Sequence, residues 1–309
     1  MMKKFPLAFV LLVVACVEKK SFAPEKLTHC MIYEIRRAEP VYLRQIEEGD
    51  VAYYGLILQS APDAKVLKYL QEKSRDHLWE YQWDYGVTAA DSALVLEGLL
   101  AAGIHSELLR PSAEKLSLEY FEPRSGGFRT VLNARAVYWE GAHVVTTAHI
   151  AWILYQIDSK KYQLQIRSAM KFVEEMQQSD GSWKADWFPS RNISLYYSTR
   201  LLAISPERYS SQLAKAKLFL QKTMQPEGSW SGSIIETAAA LLALRTLGDS
   251  EREITAATSW LKLQIQRPIQ GEPVLFYWFE LSKDAPKEFF HCSDKGQITQ
   301  AWARLALKP

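Results

Sequence analysis

The chain has 309 residues, 48% hydrophobic and 23% charged, which is enough apolar surface for a large core and excludes bulk disorder. Its 37 Lys and Arg stand against 35 Asp and Glu, a formal net charge of +2 with no run of five like charges, so no nucleic-acid partner is expected. Aromatic residues make up 12% of the chain, ten of them Trp, more than a plain helical scaffold needs, and point to some aromatic lining of a concave surface.

The first fifteen residues have the build of an export signal: Lys3 and Lys4, an apolar run from Phe5 to Val14, then small Ala15. Val13-Val14-Ala15-Cys16 resembles a bacterial lipobox, which implies a lipidated Cys16 as mature N-terminus and a protein held at the cell envelope by its acyl chains. Residues 16–27 are polar and Pro-containing, as a tether would be, and residues 28–309 are expected to form one domain. Two cysteines then remain, Cys30 and Cys292, open to either a disulfide or two free thiols.

From Asp50 onward two kinds of helical segment alternate. Asp50–Ala61, Gly86–Ala101, His143–Ile157, Asn192–Ile204, Ser233–Leu247, Pro273–Leu281 and Gly296–Leu307 carry few charges and many small or aromatic residues. A helix that is apolar nearly all round must be buried on most sides. Between them, Pro62–Arg75, Glu107–Phe121, Lys161–Gln178, Ser210–Met224 and Glu251–Gln266 are amphipathic and belong outside. The pattern predicts an all-α (α/α) toroid of about six helical hairpins, in which each hairpin buries its face by stacking on its neighbours; no stretch of any length reads as a β-sheet.

The linkers repeat. Gln177-Gln-Ser-Asp-Gly-Ser-Trp183 and Gln225-Pro-Glu-Gly-Ser-Trp230 each follow an outer helix, with weaker echoes at Glu122–Phe128 and Gln266–Gly271. Gly permits the sharp turn, the acid caps an entering helix, and Trp packs back over the preceding outer helix. In this register Gln225 stands one position closer to its Gly than Gln177 does.

These linkers resemble the Gln-Trp repeats of squalene-hopene cyclases and class II terpene cyclases, and more loosely those of prenyltransferase β-subunits. The resemblance covers about Asp50 to the C-terminus. It implies a cavity for an apolar, isoprenoid-like ligand, faced by the first turns of the inner helices. The family protonates an alkene with the middle carboxylic acid of an Asp-x-Asp-Asp motif; here the matching stretch is Thr88-Ala-Ala-Asp91, so only the last Asp survives and Ala90 stands at the donor's position. Asp91 is therefore the candidate acid, with His149 on the next inner helix as its candidate partner. Trp83, Asp84, Tyr85, Thr88, Thr146, Tyr196, Tyr197, Arg200, Glu236 and Tyr277 are the candidate ligand-contacting residues, and Trp79 and Trp278 add aromatic surface at the mouth. The missing motif argues against turnover, and the polar residues at the inner-helix starts argue for it.

No two consecutive Asp residues occur, so a magnesium-diphosphate site is not expected. His291-Cys292-Ser-Asp294 holds zinc-binding residue types, but in the reverse of the prenyltransferase order, and no metal or other cofactor is assigned. Two other functions stay open. Tyr197, Arg200, His149 and Glu236 could serve a carbohydrate-active (α/α) enzyme, or the chain could be a silent binding lipoprotein.

Overall fold

The computed structural model describes residues 51–80, 87–132, 140–186, 188, 190–248, 250–269, 271–280, 286–292 and 296–308, with the backbone alone for 51–52, 273–280 and 286–292. The export signal, Cys16, the tether, Cys30, Trp83, Asp84, Tyr85 and Asp294 lie outside the described residues, and so do the side chains of Tyr277, Trp278 and Cys292.

Six low-charge helices follow one another as α1 (Val51–Ser60), α3 (Ala89–Ala101), α5 (Val144–Asp158), α7 (Arg191–Leu202), α9 (Ile234–Leu247) and α11 (Gln297–Leu307). Each packs on the next, and α11 packs on α1, so the six close into a ring. The chain's last turns tie this seam: Arg245 of α9 donates to the Ala306 carbonyl at 2.7 Å, and Lys308 Nζ donates to the Gln59 carbonyl of α1. The charged helices α2 (Ala64–Lys73), α4 (Ser106–Lys115), α6 (Gln163–Glu175), α8 (Ser210–Thr223) and α10 (Glu251–Gln264) alternate with them along the chain. The two layers differ as their sequences require: α5 buries residues all round, while α6 buries the stripe Ile166, Ala169, Met170, Phe172 and Val173. Between α1 and α3 the backbones touch, because Gly55 and Gly98 face each other there; a Cβ on Gly98 would stand 2.4 Å from the Gly55 carbonyl oxygen.

The linker turns are the repeat made physical. The Trp183 indole donates to the Val173 carbonyl at 2.7 Å and the Trp230 indole to the Leu220 carbonyl at 3.1 Å, each ten residues back on the outer helix just completed. Trp79 does the same with Leu70 at 2.7 Å, which makes it a third copy and removes it from the mouth. Gly181 and Gly228 take φ of +93° and +94°, and a Cβ on them would stand 2.3 Å from the Lys215 carbonyl of α8 and 2.7 Å from the Ala256 carbonyl of α10. Each Gly thus lets one turn seat against the next outer helix. The turns also correct the register. Gln178 and Gln225 are the equivalent residues, since their N–H groups donate to the Ser182 and Ser229 carbonyls at 2.8 Å in both copies. Counted from Gln178 the two copies match without an offset.

Trp183→Phe is expected to cost about 2 kcal/mol, from the orphaned Val173 carbonyl and the smaller ring, with a matching drop in the urea midpoint. A loss below about 0.5 kcal/mol would mean that the turn does not depend on this bond.

One expected helix is a strand. Residues Pro273–Glu280 form β3, antiparallel to β4 (Pro286–Cys292), with Phe276 opposite Phe290 and Trp278 opposite Glu288. The run Val-Leu-Phe-Tyr-Trp-Phe is as poor in charge as an inner helix but lacks its Ala and Gly, and it is rich in the branched and aromatic residues that favour strands. A second, two-residue pair, β1 (Phe121–Glu122) and β2 (Gly127–Phe128), follows a π-helical turn at Leu116–Tyr120.

Candidate functional site

The inner helices open in a consistent way. Thr88, Ser190 and Ser233 cap α3, α7 and α9, their hydroxyls accepting from the N–H groups of Asp91, Ile193 and Glu236 at 3.1 Å each. Helix α5 has no such hydroxyl, and Asp186 fills the role, its carboxylate accepting from the Val145 N–H at 3.2 Å. Glu272 adds bonds from the Ile234 and Ile235 N–H groups at 2.7 and 2.9 Å. Helix starts favour negative charge, so carboxylates gather at this end of the ring.

Two carboxyls at this end are raised so far that both protonation states are populated around physiological pH. Burial pushes Asp91 up to about 7, against the lowering effect of its hydrogen bond from the Thr88 hydroxyl. Burial likewise pushes Glu236 up to about 7, against the Ser190 hydroxyl, and the nearby negative charge of Glu272 adds to the rise. Asp186 is also raised, by burial. Alongside them, Thr130 links His143 Nδ1 at 3.2 Å to the Thr146 hydroxyl at 2.7 Å. Thr88, Asp91, Thr146 and Glu236 therefore do lie in the opening turns, as the sequence suggests.

His149 does not join Asp91. Its Nε2 donates to Glu97 at 2.6 Å, and its ring stacks on Tyr197 with centroids 4.3 Å apart. Glu97 also receives both Arg200 Nη groups, Nη2 at 3.2 Å, and Arg200 Nη1 reaches the Tyr196 hydroxyl at 2.8 Å. The guanidinium lies 3.9 Å from the Trp152 ring centroid. Burial alone would raise the Glu97 carboxyl; the charges of Arg200 and His149 outweigh it and hold the group near 2. Burial lowers His149, against the raising effect of the adjacent Glu97 carboxylate. Burial also raises both tyrosine hydroxyls, Tyr196 to about 12.

This cluster crosses the ring. Helices α3 and α7 are not neighbours, since α5 stands between them, yet Glu97 of α3 binds Arg200 of α7. Helices α7 and α11 are separated by α9, yet Tyr196 of α7 meets Trp302 of α11 edge-on at 6.2 Å. Contacts that skip a helix must pass through the middle of the ring, so the expected open centre is filled at mid-depth. Beyond the cluster, toward the C-terminal ends of the inner helices, lies a hollow of about 400 Å³ lined by Gln59, Glu97, Trp152, Gln156, Tyr196 and Lys308, among others. Tyr196 and Arg200 thus belong to the ring's middle, not to its opening turns. Tyr197 and His149 are buried and stacked on each other, and the partly buried Arg200 pairs with Glu97 and lies over Tyr197.

Glu97 was not among the residues singled out from the sequence. The signal was present, as a lone carboxylate in the run Ala-Leu-Val-Leu-Glu-Gly-Leu-Leu of a buried helix, which has to find a cation.

No protein-family model matches the sequence, and no curated protein matches it. Solved structures do match. The type II terpene cyclase MstE from Scytonema, as a variant in complex with geranylgeranyl dihydroxybenzoate, aligns with a TM-score of 0.62 at 18% identity, covering 83% of this chain and 85% of that one. A protein from Actinoplanes aligns with a TM-score of 0.66 at 20% identity over 83% and 87% of the two chains. The ent-copalyl diphosphate synthase from Streptomyces platensis aligns with a TM-score of 0.62 at 21% identity, covering 83% of this chain and 49% of the synthase. The chain has the α/α-toroid fold of the type II terpene cyclases.

Proposed function

We propose that this protein binds an apolar, isoprenoid-type molecule at the mouth formed by the opening turns of its inner helices, and that Asp91 is the acid that acts on it. The supporting observation is a partly buried carboxyl in the first turn of α3, raised to about 7 and held by Thr88, on a fold whose solved neighbour MstE binds geranylgeranyl dihydroxybenzoate as substrate and merosterolic acid A as product. In the reaction the Asp91 O–H gives its proton to one carbon of an alkene, leaving a carboxylate and a tertiary carbocation. An internal double bond then attacks the cation, and loss of a proton from the resulting ring cation to a base restores the proton count. Thr88 caps α3, and Thr146 and Glu236 stand in the first turns of α5 and α9, at the same end of their helices. Lipid on Cys16 would hold the domain at the bacterial envelope, where such substrates dissolve; among the described residues no helix is long and apolar enough to cross a membrane.

The test is product formation from squalene-like or shorter polyprenyl substrates. Asp91→Asn is expected to lower it at least about a hundredfold, the scale of losing a positioned general acid. The wild-type rate should fall as pH rises through about 7, because only the protonated carboxyl can donate. Unchanged turnover in the Asn variant would remove Asp91 from the mechanism.

A further inference from the structure

We propose that the hollow at the C-terminal ends of the inner helices binds a neutral mono- or disaccharide, at a site separate from the opening turns where Asp91 stands. The Glu97 cluster lies between the two, so this inference does not depend on the isoprenoid reading.

The hollow holds about 400 Å³, near the small end of the roughly 300–1,000 Å³ that ligand pockets span. Its wall comes from most of the circumference: Gln59 from the last turn of α1, Leu100 from α3, Trp152 and Gln156 from α5, Tyr196 from α7 and Leu305 from α11. A ligand inside is therefore met on nearly every side, by polar and apolar groups in turn. Trp152 and Gln156 are one turn apart on α5 and share a face, the half-buried indole below the exposed amide. The Arg200 guanidinium covers part of the indole at 3.9 Å, and the ring surface that it leaves free lines the hollow.

The charges here are already matched. Glu97 accepts from Arg200 and His149, and Lys308 Nζ donates to the Gln59 carbonyl at the end of α1, where a helix gathers partial negative charge. A cationic ligand thus finds no unpaired carboxylate, and an anionic one would face the carbonyl that Lys308 serves. What stays open is neutral hydrogen bonding. The Tyr196 hydroxyl accepts from Arg200 Nη1 at 2.8 Å and donates to nothing among the described residues. Gln59 Nε2 donates to the Leu94 carbonyl at 3.4 Å, while its Oε1 accepts no bond among them, and the Gln156 amide makes none. A phenol O–H and two amides call for groups that both donate and accept, as hydroxyls do. A sugar ring carries hydroxyls around its edge and C–H groups on its faces, so its edge suits these three side chains while its faces suit Trp152, Leu100 and Leu305. A hydrocarbon would instead take water from the Gln59 amide and the Tyr196 hydroxyl and replace none of its bonds.

The experiment is isothermal titration of the full chain with the methyl glycosides of glucose, galactose, mannose and N-acetylglucosamine and with maltose and cellobiose, beside glucuronate and glucosamine as charged counterparts. At least one neutral sugar is expected to bind with a Kd of about 10 mM or tighter, and both charged sugars at least about fivefold more weakly than it. Gln156→Ala is expected to weaken that sugar about fivefold and Trp152→Leu more than about tenfold. Failure of every neutral sugar to reach about 10 mM overturns the proposal, and so does a charged sugar that binds as tightly as the best neutral one. Wild-type affinity in Gln156→Ala, whose side chain is exposed, places the sugar elsewhere and overturns the hollow as its site, even where Trp152→Leu fails to fold. Geraniol that binds wild type more tightly than Gln156→Ala would make an apolar alcohol the occupant and overturn the sugar. The role of Asp91 is read by product formation and stands or falls apart from all of these results.

Discussion

Replacing Arg200 by methionine is expected to lower the free energy of unfolding by about 3–5 kcal/mol, the typical cost of leaving a buried carboxylate without its cation. Glu97 and Arg200 have side-chain exposures of 9% and 11%, so water replaces only a small part of the missing interaction. The double variant with Glu97→Gln should recover most of the loss, because the orphaned charge is gone and the amide can still meet His149. Urea unfolding of the four proteins forms a double-mutant cycle, and a double variant as unstable as Arg200→Met alone would show that the packing of Arg200 over Trp152, not its charge, is what matters. The pH dependence follows from the same pair. Glu97 is held near 2 in the fold, below its ordinary 4.5, so its contribution is present above about 4.5 and is lost as pH falls toward 2. Arg200→Met should flatten the acid limb of the stability profile in that window.

Gly98→Ala is expected to destabilise by about 3 kcal/mol, although the same exchange in an ordinary helix interior stabilises by about 0.5–1 kcal/mol. The added Cβ would stand 2.4 Å from the Gly55 carbonyl oxygen and 2.7 Å from its Cα, both backbone atoms that cannot turn aside. Helices α1 and α3 would have to separate, and the strain would spread to the seam where α11 closes on α1. Thermal melting followed by circular dichroism reads the effect as a fall of several degrees. A rise in melting temperature would mean that the two helices part easily and that their close approach is not what sets the ring's spacing.

How much of this was legible in the sequence depends on whether the cause was local. The alternation of charged and uncharged helices showed which layer each belongs to, because a helix reports its surroundings through the polarity of its faces; the five outer segments and six of the seven inner ones are helices near their expected limits. The seventh, β3, failed because charge was weighed without propensity: Val274 to Phe279 has no small residue to let helices approach. The repeat was visible, but its register was not, since Gln177 and Gln178 look alike until hydrogen bonds distinguish them. Gln178 spans its own turn to Ser182, while Gln177 reaches the Gln212 carbonyl of the next outer helix at 2.9 Å.

The site divides along the same line. Thr88, Asp91, Thr146 and Glu236 could be placed at the opening because position within a helix is a property of the chain itself. His149 could not be given its partner, since Glu97 is 52 residues away in sequence and lies a turn further along its own helix, and only the packing of α3 against α5 brings the two together. By itself the sequence determined the kind of element, its layer and the closed two-layered plan, because burial and backbone preference act residue by residue. Tertiary structure alone decided which buried charges meet, that the ring's centre is filled at mid-depth, and that Gly55 and Gly98 touch. Those outcomes depend on the rotation and spacing of helices around a common axis, and no single segment carries that information.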